Sequence, residues 1–153
     1  MSETIKTKPF GEIEINEQQI IEFPDGILGF DYIKKFVLLD SDGEKSPFKW
    51  LQAYEESELA FVVIQPMDFM GAYNLVVSQS DLEAVGAAHS DELLVLAIVT
   101  IPENPTEMTA NLQGPVIINT KKKLGRQAIS LSDQYHVRHL ILEEMKQVAG
   151  KEG

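Results

Sequence analysis

The sequence predicts a mainly β fold: a small single-domain antiparallel β-barrel-like structure with one short helix and a C-terminal helix. Three observations carry this. Apolar and polar residues alternate over many short stretches, as in Met108, Ala110 and Leu112 against Thr109, Asn111 and Gln113, which is the period of a half-buried strand. Turn signals punctuate those stretches, among them Pro24-Asp25-Gly26, Gly114-Pro115 and Lys121 to Gly125. The longest apolar run, Leu93 to Ile101, contains Thr100, is too short to span a bilayer, and reads as a central strand.

Thr4 to Lys8 alternates weakly and reads as an edge strand, interrupted by Pro9. Phe10 to Ile15 places Ile13 and Ile15 inward and Glu12 and Glu14 outward. Gln19 to Phe23 follows a turn at Asn16-Glu17, and the two stretches are expected to pair as a hairpin. Outward Glu12, Glu14 and Glu22 would then share one surface. Pro24 fixes φ and Gly26 accepts positive φ, so Pro24 to Gly26 turns the chain. Ile27, Leu28 and Phe30 follow around Gly29, either packing back on the core or forming an apolar patch. Asp31 to Lys35 is long enough for one helical turn.

Phe36 to Leu39 and Phe48 to Gln52 read as strands separated by a polar loop, Ser41 to Pro47. Trp50, the only tryptophan, is either core filler or a partner anchor. Ala60 to Gln65 is a buried strand and Tyr73 to Ser78 a further candidate. Ser80 and Glu83 have the spacing of a capping box, starting a helix that ends near Gly86. Met108 to Asn119 divides at Gly114-Pro115, because proline lacks a backbone donor. With Gln127, Ile129 and Leu131 it predicts a three-strand meander. Ser132-Asp133 can cap a last helix, clearest over 139–149, and Gly150 to Gly153 should fray.

The 153 residues fit one domain, 1–153, and include no cysteine, which excludes disulfides and thiolate chemistry. A reducing cytoplasm is the simplest home for such a chain. The N-terminus lacks an apolar signal core. Net charge is −11, unevenly spread: 20 acidic and 6 basic residues precede Met108, and 4 acidic and 7 basic follow from it. This balance opposes dedicated nucleic-acid binding and admits a basic protein partner.

No catalytic constellation emerges. His136 and His139 are three apart, but two imidazoles do not close a zinc site. There is neither a nucleophile elbow nor a phosphate-binding glycine loop. Glu55, Glu56 and Glu58 read as solvated carboxylates. Lys121, Lys122 and Lys123, with Arg126, form the one basic cluster, in a turn without interleaved aromatics. A binding module, an enzyme and a nucleic-acid-binding barrel are the classes weighed. The expectation is no enzyme, no cofactor, no metal, no membrane and no direct nucleic-acid contact, in a monomer.

Several segments together resemble the flagellar assembly factor FliW family: Phe-Gly-Glu-Ile-Glu-Ile at 10–15, Ile-Glu-Phe-Pro-Asp-Gly-Ile-Leu-Gly-Phe at 21–30, Pro-Phe-Lys-Trp-Leu-Gln at 47–52, Leu-Ala-Phe at 59–61, Met108 to Asn119, and Tyr135 with Arg138. The resemblance implies a small β-barrel-like domain without catalytic activity. It implies a cytoplasmic partner switch that binds flagellin and, once flagellin is exported, binds the RNA-binding repressor CsrA and so restores flagellin synthesis. Family chains are expected to stop soon after the position of Arg138, making 139–149 a helical extension. On this reading Glu12, Glu14, Glu22 and Asp25 supply steering charge toward a basic partner, and Ile27, Phe30, Phe48 and Trp50 supply apolar anchors.

Overall fold

A computed structural model describes residues 2–40, 46–70 and 72–152, the stretch 147–152 by backbone only. The strands are β1 (Ser2–Thr7), β2 (Gly11–Asn16), β3 (Ile20–Glu22), β4 (Lys35–Asp40), β5 (Phe48–Ala53), β6 (Ala60–Ile64), β7 (Leu94–Thr100), β8 (Thr109–Asn119), β9 (Leu124–Gln127) and β10 (His139–Leu140). Helix α1 (Gln79–Ala84) precedes β7, and α2 (Ile141–Glu152) ends the chain. Most of the polar loop expected at 41–47 lies outside the described residues, as does Gly153.

Strands β3 to β9 form a closed barrel of seven, each pairing with the next in sequence. Successive neighbours are antiparallel, so an odd count leaves the last strand running with the first. Closure between β9 and β3 is accordingly parallel, through Glu22 and Leu124, and the Glu22 N–H donates to the Lys123 carbonyl at 2.9 Å. Among the described residues this seam is the one parallel pairing in an otherwise antiparallel barrel. Phe23, Phe36, Leu51, Val63, Leu96, Val116 and Ile118 fill the interior. Phe23 meets Phe36 edge-on, with ring centroids 5.0 Å apart.

Strand β8 is the longest of the barrel. It runs unbroken through Gly114-Pro115, where the sequence predicts two strands. The proline is accommodated by a bulge: Leu96 pairs with Val116, but Ile98 pairs with Asn111, so two steps along β7 match five along β8. Asn111 holds the bulge, its Oδ1 accepting from the Gln113 N–H at 3.1 Å and the Gly114 N–H at 2.9 Å. The odd number of extra residues reverses the pleat. Ala110 and Leu112 therefore pack outside the barrel with Ile64, Val99, Tyr135 and Ile141, whereas Val116 and Ile118 point in.

Three coverings protect the barrel's apolar outer face. The β1–β2 hairpin lays Ile5 and Ile15 over Val37, Leu39 and Trp50. This corrects the pairing expected between the second and third stretches: β2 pairs with β1, and Asn16 instead caps a short 3₁₀ turn, Glu17–Gln19, that leads into β3. The α1 region sets Val85 and Ala87 against Ile117 and Ala128. Tyr135, Ile141 and Met145 cover the third area. Buried Gln52 ties the hairpin to the barrel, accepting from the Lys8 N–H at 2.9 Å while its amide donates to carbonyls in the β5–β6 turn.

Other local expectations are revised. Asp31 to Lys35 makes no helical turn, since Lys35 already belongs to β4 and the Ile33 N–H closes a tight turn on the Phe30 carbonyl. Tyr73 to Ser78 is irregular and not a strand. The cap of α1 is Ser78, not Ser80; its hydroxyl accepts from the Asp81 N–H at 3.1 Å. Strand β9 ends at Gln127, leaving Ile129 and Leu131 exposed, so the predicted three-strand meander reduces to the β8–β9 hairpin. His139 and Leu140 pair with Ala110 and Thr109 as a strand, so the helix starts at Ile141 and no helix follows Ser132-Asp133. That helix continues to Glu152, past the point where the sequence predicts fraying.

Two consequences are measurable. A Cβ on Gly125 would lie 2.4 Å from the Phe23 ring, which is fully buried. Gly125→Ala should cost about 1–3 kcal/mol in urea unfolding through overpacking, and an unchanged midpoint would contradict this close approach. The Tyr73 ring packs on Tyr135 at 4.9 Å, but its buried hydroxyl has no hydrogen-bond partner among the described residues. Burial first, then Tyr135, pushes its pKa from 10.0 up to about 12. The folded hydroxyl stays neutral where the unfolded one ionises, so this contribution is intact below pH 10 and is lost as pH rises towards 12. Tyr73→Phe should raise stability by about 1 kcal/mol or less at neutral pH and flatten the alkaline decline followed by thermal melts.

Candidate partner-binding surface

A wide concavity lies where the loop after β3 meets the bulge of β8 and the end of β9. It is a cleft of about 750 Å³ whose walls include Asp25, Leu28, Asp31, Arg126, Ile129 and Val137. The loop is shaped by two glycines at positive φ, Gly26 and Gly29. A side chain on Gly26 would also collide with the Asp31 backbone, at 2.5 Å. Between them Ile27 turns inward, 2% exposed, and Leu28 turns outward, 88% exposed. Gln127 clamps this arrangement: its Oε1 accepts from the Leu28 N–H at 2.9 Å, and its Nε2 donates to the Gly114 carbonyl at 3.0 Å.

Arg126 ties the cleft to α1. Its Nε donates to Asp81 Oδ1 at 2.7 Å, and its Nη1 donates to Asp25 Oδ2. Asp81 is buried and Asp25 is exposed, so one guanidinium neutralises an inner carboxylate and orients an outer one.

The sequence-derived residues do not gather at one place. Glu12 and Glu14 project from the outer face of the β1–β2 hairpin, where Glu12 sits across from Lys6. Glu22 lies at the seam itself, in a depression it shares with Lys35, Lys122 and Lys123. Asp25 borders the cleft in its pair with Arg126. Phe30 is half-buried against the interior, edge-on to Phe61 at 5.3 Å. Phe48 is half-buried in the cluster around Ile64, and Trp50 is half-buried beneath the hairpin. Of these, only Asp25 and Ile27 line the cleft.

Sequence reasoning named Leu28 only as part of an apolar loop and missed the other exposed apolar residues of the cleft, Ile129 (69%) and Val137 (51%). Leu28 was legible in one respect: beside an inward Ile27 an extended chain turns its neighbour outward. Ile129 was not, because alternation with Leu131 imitates a buried strand face. Arg126 and Asp81, 45 positions apart, show no sequence sign of their pairing.

His136 and His139 stack face to face at 4.5 Å although neither lies on a helix. His139 Nε2 accepts from the His136 N–H at 2.9 Å, and its Nδ1 lies 3.4 Å from Glu144 Oε1. One nitrogen of the buried ring thereby ties β10 to the preceding loop, and the other faces α2. Among the described residues no group of three or more His, Asp or Glu side chains is placed to share a metal ion, and no helix is long and apolar enough to cross a membrane.

A family model described as FliW protein matches residues 4–141. The chain belongs to the FliW family. The flagellar assembly factor FliW of Leptospira biflexa is 45% identical over 152 residues, which cover 99% of each chain. That of Alkaliphilus metalliredigens is 44% identical over 144 residues, 94% of this chain and 89% of the other. A crystal structure of the flagellar assembly factor FliW superposes with a TM-score of 0.82 at 34% identity, covering 91% of this chain and 96% of that one. The L. biflexa match takes in nearly all of both chains, whereas the family model ends at Ile141.

Removing the Arg126 cation strands Asp81 in its buried setting. Arg126→Met should destabilise by about 2 kcal/mol in chemical denaturation, and adding Asp81→Asn should recover much of that loss. Additive effects of the two changes would show that the pair is not coupled.

Proposed function

We propose that this chain is a flagellar assembly factor that acts as a cytoplasmic partner switch. It holds flagellin and, when flagellin leaves, holds CsrA and so lifts repression of flagellin synthesis. The observation that carries this reading is the family match along nearly the whole chain, with FliW relatives named flagellar assembly factors at 44–45% identity. On this reading the chain works as a monomer by surface binding rather than catalysis. Residues 1–153 are one functional unit, and neither membrane nor nucleic acid is contacted directly.

Charge supports the reading. The chain carries −11, concentrated before Met108, and Glu12, Glu14 and Glu22 are solvent-exposed on and beside the barrel. A repressor that grips RNA is basic at its binding face, so an acidic surface steers it in and leaves RNA repelled. Lys6 opposite Glu12 weakens this field locally, which leaves Glu14 as the stronger contributor on the hairpin.

Exposed charges of this kind act on encounter more than on residence. In stopped-flow association with CsrA at low salt, Glu12→Lys combined with Glu14→Lys should slow association several-fold, with dissociation nearly unchanged. The difference should shrink as salt is raised. An association rate equal to wild type would remove the steering role. Absence of binding to both purified flagellin and CsrA would overturn the switch itself.

A further inference from the structure

We infer that the cleft between the Ile27–Phe30 loop, the β8 bulge and the end of β9 is a docking site for one peptide segment of a partner protein. The segment presents two or more apolar side chains and one lysine or arginine, and it is held through side chains and not by strand addition. This rests on the reading of the chain as a protein-binding factor and names a surface and a ligand chemistry for it.

Exposed apolar side chains converge there from three separate parts of the chain. Leu28, Ile129 and Val137 all line the same concavity, and each is more than half exposed. Isolated exposed apolar residues are ordinary, but several gathered in one hollow mark a contact surface. The volume of about 750 Å³ lies within the range of roughly 300–1,000 Å³ that encloses a sizeable ligand, enough for several side chains.

The charges at the cleft select the sign of the occupant. Asp25, Asp31 and Arg126 line it, and the Arg126 guanidinium is already engaged by both Asp25 and buried Asp81. The carboxylates outnumber the cation, so a basic group on the incoming segment is complementary and an acidic one is repelled.

Backbone pairing selects the mode of binding. The Leu28 N–H is taken by Gln127, the Ala128 N–H by the Pro115 carbonyl and the Ser130 N–H by the Gln113 carbonyl. These three donors on the cleft walls are thus used internally, which favours side-chain contact as the means of capture. The Gln127 clamp and the positive-φ glycines hold Leu28 outward before any ligand arrives, which lowers the ordering cost of binding.

The test is a random peptide display selected on the full-length protein and counter-selected against the double variant Leu28→Asp, Ile129→Asp. Both positions are exposed, and thermal melts verify that the variant folds. Recovered peptides should combine Leu, Ile or Phe with Lys or Arg and bind wild type at least about 10-fold tighter than the variant. Asp31→Asn should weaken them a few-fold and flatten their salt dependence. Failure to recover such peptides, equal binding to the variant, or a consensus of acidic peptides would overturn the proposal. So would sedimentation showing a wild-type dimer that the double variant dissolves, because the occupant would then be a second copy. Flagellin and CsrA titrated into wild type test the partner switch separately: if neither binds, that reading fails while the peptide selection still decides the cleft.

Discussion

The barrel is built around one strand long enough to serve three neighbours, β8. It pairs with β7 along its length, with β9 at its C-terminal half and with β10 at its N-terminal end. A regular ladder could not meet all three demands, because one face would stay inside throughout. The bulge at Leu112 to Pro115 changes which face is inside partway along. Its first half then supports an outer layer, and its second half fills the interior.

The same bulge explains where the cleft lies. Extra residues displaced from the ladder leave backbone groups that need partners, and those partners are the Asn111 side chain, the His136 carbonyl and Gln127. Gln127 reaches onward to Leu28, so the irregularity in β8 also holds the apolar loop in place. Arg126, next in the chain, extends the connection to α1 through Asp81. The hollow bounded by these elements is therefore built by the same hydrogen bonds that accommodate the bulge.

Much of the architecture was legible because strand periodicity is local. The alternation in Gly11–Asn16, Thr109–Asn111 and the run at Leu94–Thr100 required only neighbouring residues, and each became a strand. Partner choice was not local. Glu12 to Ile15 and Ile20 to Glu22 look like one hairpin, but the 3₁₀ turn capped by Asn16 redirects the chain and leaves β2 to β1. Pro115 looked like a strand end because its missing donor is harmful in a regular ladder; a bulge supplies a place where that donor is not needed. Ile129 looked buried because alternation cannot tell which side of an extended chain is covered.

From the sequence alone came the β class, the short helix, the absence of cysteine chemistry, the acidic balance and the family resemblance. All of these depend on residue type and short spacing. Tertiary structure alone decided the parallel seam, the reversal of faces along β8, the Asp25–Arg126–Asp81 bridge and the cleft lined by Leu28, Ile129 and Val137. Each of these joins residues far apart in the chain, and contact across such separations is set by closure of the whole barrel and not by the preferences of any one segment.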